Sequence, residues 1–212
     1  LAVESPLSPA PLLSRRLGLQ VSLKREDMQS VYSFKLRGAY NKMAQLSEDQ
    51  QSTGVITATA GNHAQGVAIA AQKLGIRATI VMGLNTPSIK VNAVRDRGAK
   101  VVLHGDNYNE AALHAKHLCE SEGLIYIPPY DDVDVIAGQG TIGMEIVNQH
   151  SQPLDAIFIP VGGGGLVAGV AAYVKYLRPE TKIIGVEAEG SNCLDAAMKA
   201  GRRVSLPIDK LD

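Results

Sequence analysis

Three short segments of this chain hold residue types that can do chemistry. Gly162, Gly163, Gly164 and Gly165 stand between a β-branched apolar run and the helical run that opens at Leu166. With no Cβ in the way, successive backbone N–H groups can close on an anion at the positive end of the helix dipole that follows. The run therefore reads as a phosphate cradle. It is not a dinucleotide fingerprint, because Leu166 and Val167 follow and no GxGxxG register fits, and no Lys-Ser/Thr pair makes it a P-loop. The second segment is Ser33-Phe34-Lys35-Leu36-Arg37-Gly38-Ala39. Lys35 is expected in the first turn of a helix, where the dipole disfavours a cation and lowers the amine pKa. An easily neutralised amine can add to a carbonyl carbon and hold it covalently. A lysine near a helix start is by itself usually a solvated surface residue, and its neighbours single this one out. Phe34 suits either packing on a flat cofactor ring or a place in the core.

The third segment is Thr59-Ala60-Gly61-Asn62-His63-Ala64-Gln65-Gly66, which follows a predicted strand and opens a predicted helix. Its backbone donors suit a carboxylate, and Thr59 adds a hydroxyl. Asn62 offers both donor and acceptor, as needed beside a phenolic oxygen. The plainer reading is a polar helix cap with His63 as a satisfied core histidine. His114 and His117 lie three apart on one predicted helix with no third ligand nearby, so both are expected to be solvated and no metal site is expected.

These segments need a scaffold, and from Gly54 onward short β-branched runs alternate with helical ones. That is the pattern of an α/β fold with a parallel sheet. Strands are expected over residues 54–59, 78–82, 100–104, 124–127, 156–161 and 182–186. Helices are expected over residues 64–74, 88–97, 109–122, 140–148 and 166–177. A Pro-Pro-Tyr-Asp-Asp turn separates the fourth strand from the helix after it. Before Gly54, residues 21–24 read as a short strand, and Ser33 is placed to cap a helix over residues 34–46. The stretch 201–212 loses periodicity without the strand and helix that would close an α/β layer, which predicts a chain cut short.

The bulk properties narrow the partners. The 212 residues are 45% hydrophobic and 20% charged, a profile that supports a buried core. Twenty-one basic and twenty-one acidic residues cancel, so no global field gathers nucleic acid or anionic lipid. Two Phe, seven Tyr and no Trp leave little for base stacking. A small, weakly charged ligand fits better. Cys119 and Cys193 form neither a disulfide framework nor a CxxC pair and read as reduced thiols, which points to a reducing compartment. No apolar run approaches the roughly twenty residues of a membrane span, and no targeting peptide is visible.

Taken together, the chain resembles the fold-type II, tryptophan-synthase-β-like family of pyridoxal-phosphate enzymes, and within it the threonine dehydratases. The resemblance runs through five ordered motifs. They are Leu23-Lys24-Arg25-Glu26-Asp27, the Ser33 to Ala39 segment, Ala60-Gly61-Asn62-His63-Ala64-Gln65-Gly66, Val135-Ile136-Ala137-Gly138-Gln139-Gly140-Thr141, and Pro160-Val161-Gly162-Gly163-Gly164-Gly165-Leu166. The resemblance implies two α/β subdomains with the active site in the cleft between them. Residues 54–134 would form a small mobile domain, and residues 1–53 with 135–212 a large cofactor-binding domain, incomplete at its C-terminus. Substrate would close the small domain and exclude water.

It further implies that Lys35 carries pyridoxal 5'-phosphate covalently and then serves as the base at the substrate Cα. Phe34 would flank the ring, Asn62 would bond the ring hydroxyl, and Gly162, Gly163, Gly164, Gly165 and Leu166 would hold the phosphate. Thr59, Ala60, Gly61, Asn62 and His63 would grip the substrate carboxylate. The implied reaction turns L-threonine into 2-oxobutanoate and ammonia, the first step of isoleucine biosynthesis, and L-serine into pyruvate. Serine racemases of the family carry a serine where Ala60 stands, so Ala60 favours dehydration. Racemisation, β-replacement and a non-catalytic module on the same fold are the alternatives. The N-terminal words lean toward biosynthetic members, whose isoleucine-sensing regulatory domain has no counterpart in these residues. The late Ser or Cys that faces the pyridine nitrogen has none either. Members are usually dimers or tetramers, with an amino acid as ligand and neither nucleic acid nor membrane as partner. The expected location is the cytoplasm of a bacterium, or the plastid stroma or mitochondrial matrix of a eukaryote.

Overall fold

The computed structural model describes residues 1–206. By backbone proximity the chain divides into two compact units, Leu1–Pro129 and Tyr130–Asp212. Residues 207–212, which carry part of the stretch expected to lack periodicity, lie outside the described residues.

The first unit opens with a small antiparallel pair, β1 (Leu7–Pro9) against β2 (Ser22–Lys24), joined through α1 (Pro11–Leu17). Sequence reading found β2 but neither β1 nor α1, because a three-residue strand and a seven-residue helix are too short to display a period. Pro11 at the first helical position and Gly18 in the left-handed conformation after the last turn are nonetheless the usual start and stop signals of α1. Next come α2 (Lys35–Ala44) and α3 (Glu48–Thr53). The latter is fixed by a capping box: the Ser47 hydroxyl accepts from Gln50 N–H at 3.3 Å, and Gln50 Oε1 accepts from Ser47 N–H at 3.0 Å. That S-x-x-Q signal stood in the sequence and was passed over.

The rest of this unit is a parallel α/β layer: β3 (Val55–Ala58), α4 (Asn62–Leu74), β4 (Ala78–Met82), α5 (Ser88–Arg95), β5 (Lys100–Leu103), α6 (Tyr108–Glu122) and β6 (Ile125–Tyr126). The strand order is β5-β4-β3-β6, all parallel. Both faces of the sheet are covered, which is why β3 is buried at every position and shows no alternation of apolar and charged residues. On one face Val55, Ile80 and Met82 pack with Val67, Ala68 and Ala71 of α4 and with Met43 of α2. On the other, Ile56, Ala58 and Val81 meet Ala111 and Ala115 of α6. All the strands and helices expected here are present, with ends shifted by two residues or fewer.

The second unit contains α7 (Val133–Gln149), β7 (Ala156–Pro160), α8 (Gly165–Leu177), β8 (Lys182–Val186) and α9 (Cys193–Ala200), with β7 and β8 parallel. The expected helix over residues 140–148 is corrected: α7 begins seven residues earlier, capped by the Asp132 carboxylate, which accepts from Asp134 N–H at 2.9 Å and Val135 N–H at 3.2 Å. Gly140, where the expected helix began, serves a helix crossing. A Cβ on Gly140 would lie 3.0 Å from the Gly169 carbonyl oxygen of α8, and one on Gly169 would lie 2.7 Å from Gly140 N and run into the Ile136 carbonyl oxygen. The Ala137 to Thr141 motif is thus a contact surface where two backbones touch.

The division at residue 129 describes contacts in one conformation. Gly169→Ala places a methyl group on the Ile136 carbonyl and is expected to cost about 3 kcal/mol by overpacking. Urea unfolding at neutral pH checks this, and an unchanged midpoint would refute the crossing as a tight contact.

Candidate active site

Lys35 is the first residue of α2 and half-buried. The expected Ser33 cap is corrected. Phe34 occupies the cap position with helical backbone angles, and the Ser33 hydroxyl accepts from Lys35 N–H at 3.3 Å. The turn before it is strained, since Tyr32 takes φ 56°, a left-handed conformation costly for a bulky residue. The Lys35 Nζ donates to the Pro129 carbonyl oxygen at 2.7 Å and lies 5.4 Å from the Phe34 ring centre. Burial lowers its pKa from the ordinary lysine value, so the direction expected from the helix dipole is found with desolvation as its cause.

Two interactions set where α2 starts. Arg37, one turn in and 6% exposed, makes a two-pronged bond to Glu26, with Nε to Oε2 and Nη2 to Oε1 both at 2.8 Å. Ser5 Oγ donates to the same carboxylate at 2.5 Å, while Gln29 pairs with the backbone of Val3 through bonds of 2.8 and 3.0 Å. The N-terminal arm, the residues after β2 and α2 are thereby tied together. From the other side Gly66 of α4 allows close approach: a Cβ there would stand 3.0 Å from Leu36 N and from the Lys35 carbonyl carbon. Sequence reading missed this role for Arg37, Glu26 and Gly66. Both charges stood in quoted motifs, but no spacing rule pairs residues eleven apart across a loop.

Residues 59–62 form the turn from β3 into α4, with Gly61 as cap and its N–H on the Thr59 hydroxyl at 3.3 Å. Gly61 and Asn62 are exposed, Thr59 and Ala60 half-buried. The turn thus presents backbone donors at the start of a 13-residue helix. The His63 ring is committed elsewhere. It is 3% exposed, and its Nε2–H donates to the Ile127 carbonyl oxygen at 2.9 Å. Burial, helped by the charge on Lys35, pushes its pKa down to about 4 from 6.5, against the opposing pull of the Ile127 bond. Lys35 and His63 therefore both lean on carbonyls of the segment 127–129, where the expected strand over 124–127 passes into the expected turn. Elsewhere in this unit the His114 ring stacks on His104 at 3.9 Å, so it is less solvated than expected, and burial followed by His104 and His117 lowers its pKa.

In the second unit, residues 162–165 lead from β7 into α8. Gly164 is the cap with φ 86°, and Gly165 opens the helix with Leu166 next. Nothing lies within 4 Å of where a Cβ would sit on Gly162 or Gly164, leaving those faces of the loop open. An amine of lowered pKa for an aldehyde and a bare glycine turn at a helix start for a phosphate are the two things pyridoxal phosphate requires, and these residues fit it.

Comparison with known proteins settles the family. The model of the pyridoxal-phosphate dependent enzyme family matches residues 2–211. The chain belongs to that family. Its fold is the α/β fold of the fold-type II members, and pyridoxal phosphate is the cofactor of these enzymes. Over 206 residues it is 59% identical to the chloroplastic biosynthetic threonine dehydratase of Arabidopsis thaliana, covering 97% of this chain and 35% of the relative. It is 55% identical to the biosynthetic L-threonine dehydratase of Burkholderia multivorans, covering 97% and 41%. The solved processed form of threonine deaminase isoform 2 from Solanum lycopersicum superposes with a TM-score of 0.95 at 56% identity, covering 97% of this chain and 60% of that one. The chain thus spans well under half the length of these curated relatives.

Two measurements test the packing around the lysine. Arg37→Met leaves the Glu26 carboxylate uncompensated and is expected to cost about 3–5 kcal/mol, most of it recovered when Glu26→Met is added. Equal losses in the single and double variants would refute the pair. For His63, the unfolded state takes up its proton at pH 6.5 and the folded state only near pH 4. Stability is therefore full above pH 6.5 and drawn down between there and about pH 4, by roughly 3 kcal/mol in total. Urea midpoints across that window should fall more steeply for the wild type than for His63→Gln, and parallel curves would contradict a neutral buried imidazole.

Proposed function

We propose that the chain is the catalytic portion of a biosynthetic threonine dehydratase. In this reading L-threonine loses water, the enamine left behind takes up a water to release ammonia and 2-oxobutanoate, L-serine gives pyruvate in the same way, and the reaction opens isoleucine synthesis. The single observation that carries the reading is the half-buried Lys35 amine with lowered pKa at the start of α2. The names of the bacterial and chloroplastic relatives supply the substrate.

Bound pyridoxal phosphate supplies an electron sink for charge that develops on the substrate Cα. Residues 162–165 with Leu166 hold its phosphate on backbone N–H groups, Asn62 bonds the ring hydroxyl, and Phe34 flanks the ring. The backbone donors of residues 59–63, with the Thr59 hydroxyl, hold the substrate carboxylate. His63 takes part through its main chain, since its ring is engaged with Ile127. Lys35, whose pKa burial lowers, takes the Cα proton, and a proton passed back from its ammonium lets the β-hydroxyl depart as water. Ala60 has no proton to return to the opposite face of Cα, which favours elimination over racemisation. Residues 54–134 move as the small domain against the rest and exclude water when substrate binds. The protein works as a homo-oligomer, in a bacterial cytoplasm or in a plastid or mitochondrial matrix.

The test is an assay of 2-oxobutanoate from L-threonine by the purified protein loaded with pyridoxal phosphate. Lys35→Ala is expected to lose activity by at least about a thousandfold, since it removes both the covalent anchor and the base. A wild type that scrambles the Cα configuration of threonine and releases no oxo acid would sink the dehydratase reading.

A further inference from the structure

The four glycines of the run are not equivalent. Gly162 and Gly164 face open space, whereas the other two press on one residue, Tyr130. A Cβ on Gly163 would fall inside the Tyr130 ring, against Cγ and Cδ1, and one on Gly165 would stand 2.9 Å from the Tyr130 carbonyl oxygen and 3.1 Å from its Cα. The half-buried ring of Tyr130 thus occupies the space that a side chain at position 163 would take. Beside this contact lies an open cavity of about 400 Å³, lined by Tyr130, Ile136, residues 163–165 and Leu194 among others.

A glycine loop is the backbone stretch with the most freedom to lose on ordering, and its N–H groups hold an anion well only when they already point at it. Something has to stop residues 162–165 from wandering, and the loop has no side chains of its own to do it. We propose that Tyr130 is the positioning residue of the phosphate cradle, with its ring as the floor under Gly163 and its backbone as the stop for Gly165. The alternation then has a division of labour. Gly163 and Gly165 are glycines because Tyr130 is there, Gly164 also because its φ of 86° is left-handed, and Gly162 and Gly164 leave the side open from which an anion approaches. This rests on the reading of the run as the cofactor phosphate site. A flat ring is what the contact uses, so phenylalanine should serve as well as tyrosine, and alanine should not.

Direct titration of the cofactor-free protein tests this, with pyridoxal phosphate and phosphate-free pyridoxal compared by the absorbance change on binding. Tyr130→Ala is expected to weaken pyridoxal phosphate binding about tenfold while pyridoxal binding stays within twofold, because only the phosphate contacts lose their alignment. Tyr130→Phe should restore wild-type affinity for both, and Gly163→Ala, which displaces the ring, should reproduce the alanine phenotype. If Tyr130→Ala keeps the wild-type preference for the phosphorylated ligand, or loses both ligands equally, the positioning role is overturned. A wild type with no preference for pyridoxal phosphate over pyridoxal would overturn the phosphate-site reading itself, and the proposal with it.

Discussion

The two-pronged bond between Arg37 and Glu26 is the contact on which the placement of the lysine depends. Both side chains are withdrawn from water, at 3% and 12% exposure, so neither charge can be left alone without a large desolvation penalty. The pair therefore closes only when the N-terminal arm, the residues following β2 and the first turn of α2 are all in place: Ser5 donates to the Glu26 carboxylate, and the Val3 carbonyl accepts from Arg37 and Gln29. Such a pair adds less to stability than its short distances suggest, because the cost of burial offsets much of the attraction. Its contribution is geometric: it fixes the start of α2, and Lys35 is its first residue.

Close backbone approach is the second constraint, and glycine is the residue that permits it. Gly66 lets α4 touch the backbone of Lys35 and Leu36, and Gly140 and Gly169 let α7 and α8 cross with their main chains in contact. Gly163 and Gly165 make room for Tyr130. In each case a methyl group would push apart two elements whose separation sets a functional segment. The same residue type thus does two jobs in one motif, opening the loop to an anion at alternate positions and packing it at the others.

Burial sets the protonation of both titratable groups beside the 127–129 segment. Lys35 and His63 each give one hydrogen bond to a main-chain carbonyl, which can accept but brings no negative charge to hold a cation. Desolvation shifts both toward the neutral form, and the charge on Lys35 further discourages protonation of His63. A lysine poised in this way is nearer to being a nucleophile and base than one paired with a carboxylate would be.

The sequence by itself determined the alternation of strands and helices after Gly54, because strands buried on both faces write continuous β-branched runs and the helices between them write a 3.6-residue period. It also determined the three chemical segments, since a bare glycine run, a lysine beside Phe34 and a Gly-Asn turn after a strand are local patterns. Tertiary structure alone decided the rest. The 3.6-residue period could not show that α7 runs from Val133 on through Gly140, because that glycine is explained only by the helix it crosses. The cap position of α2 went to Phe34 while the Ser33 hydroxyl still accepts from Lys35 N–H, and the His63 ring went to a carbonyl 64 residues away. Arg37 found Glu26, and Tyr130 found Gly163, across loops whose path no local spacing encodes. Local propensity is a property of neighbours in the chain, while the contacts that aim a side chain or set its pKa join residues the chain keeps apart.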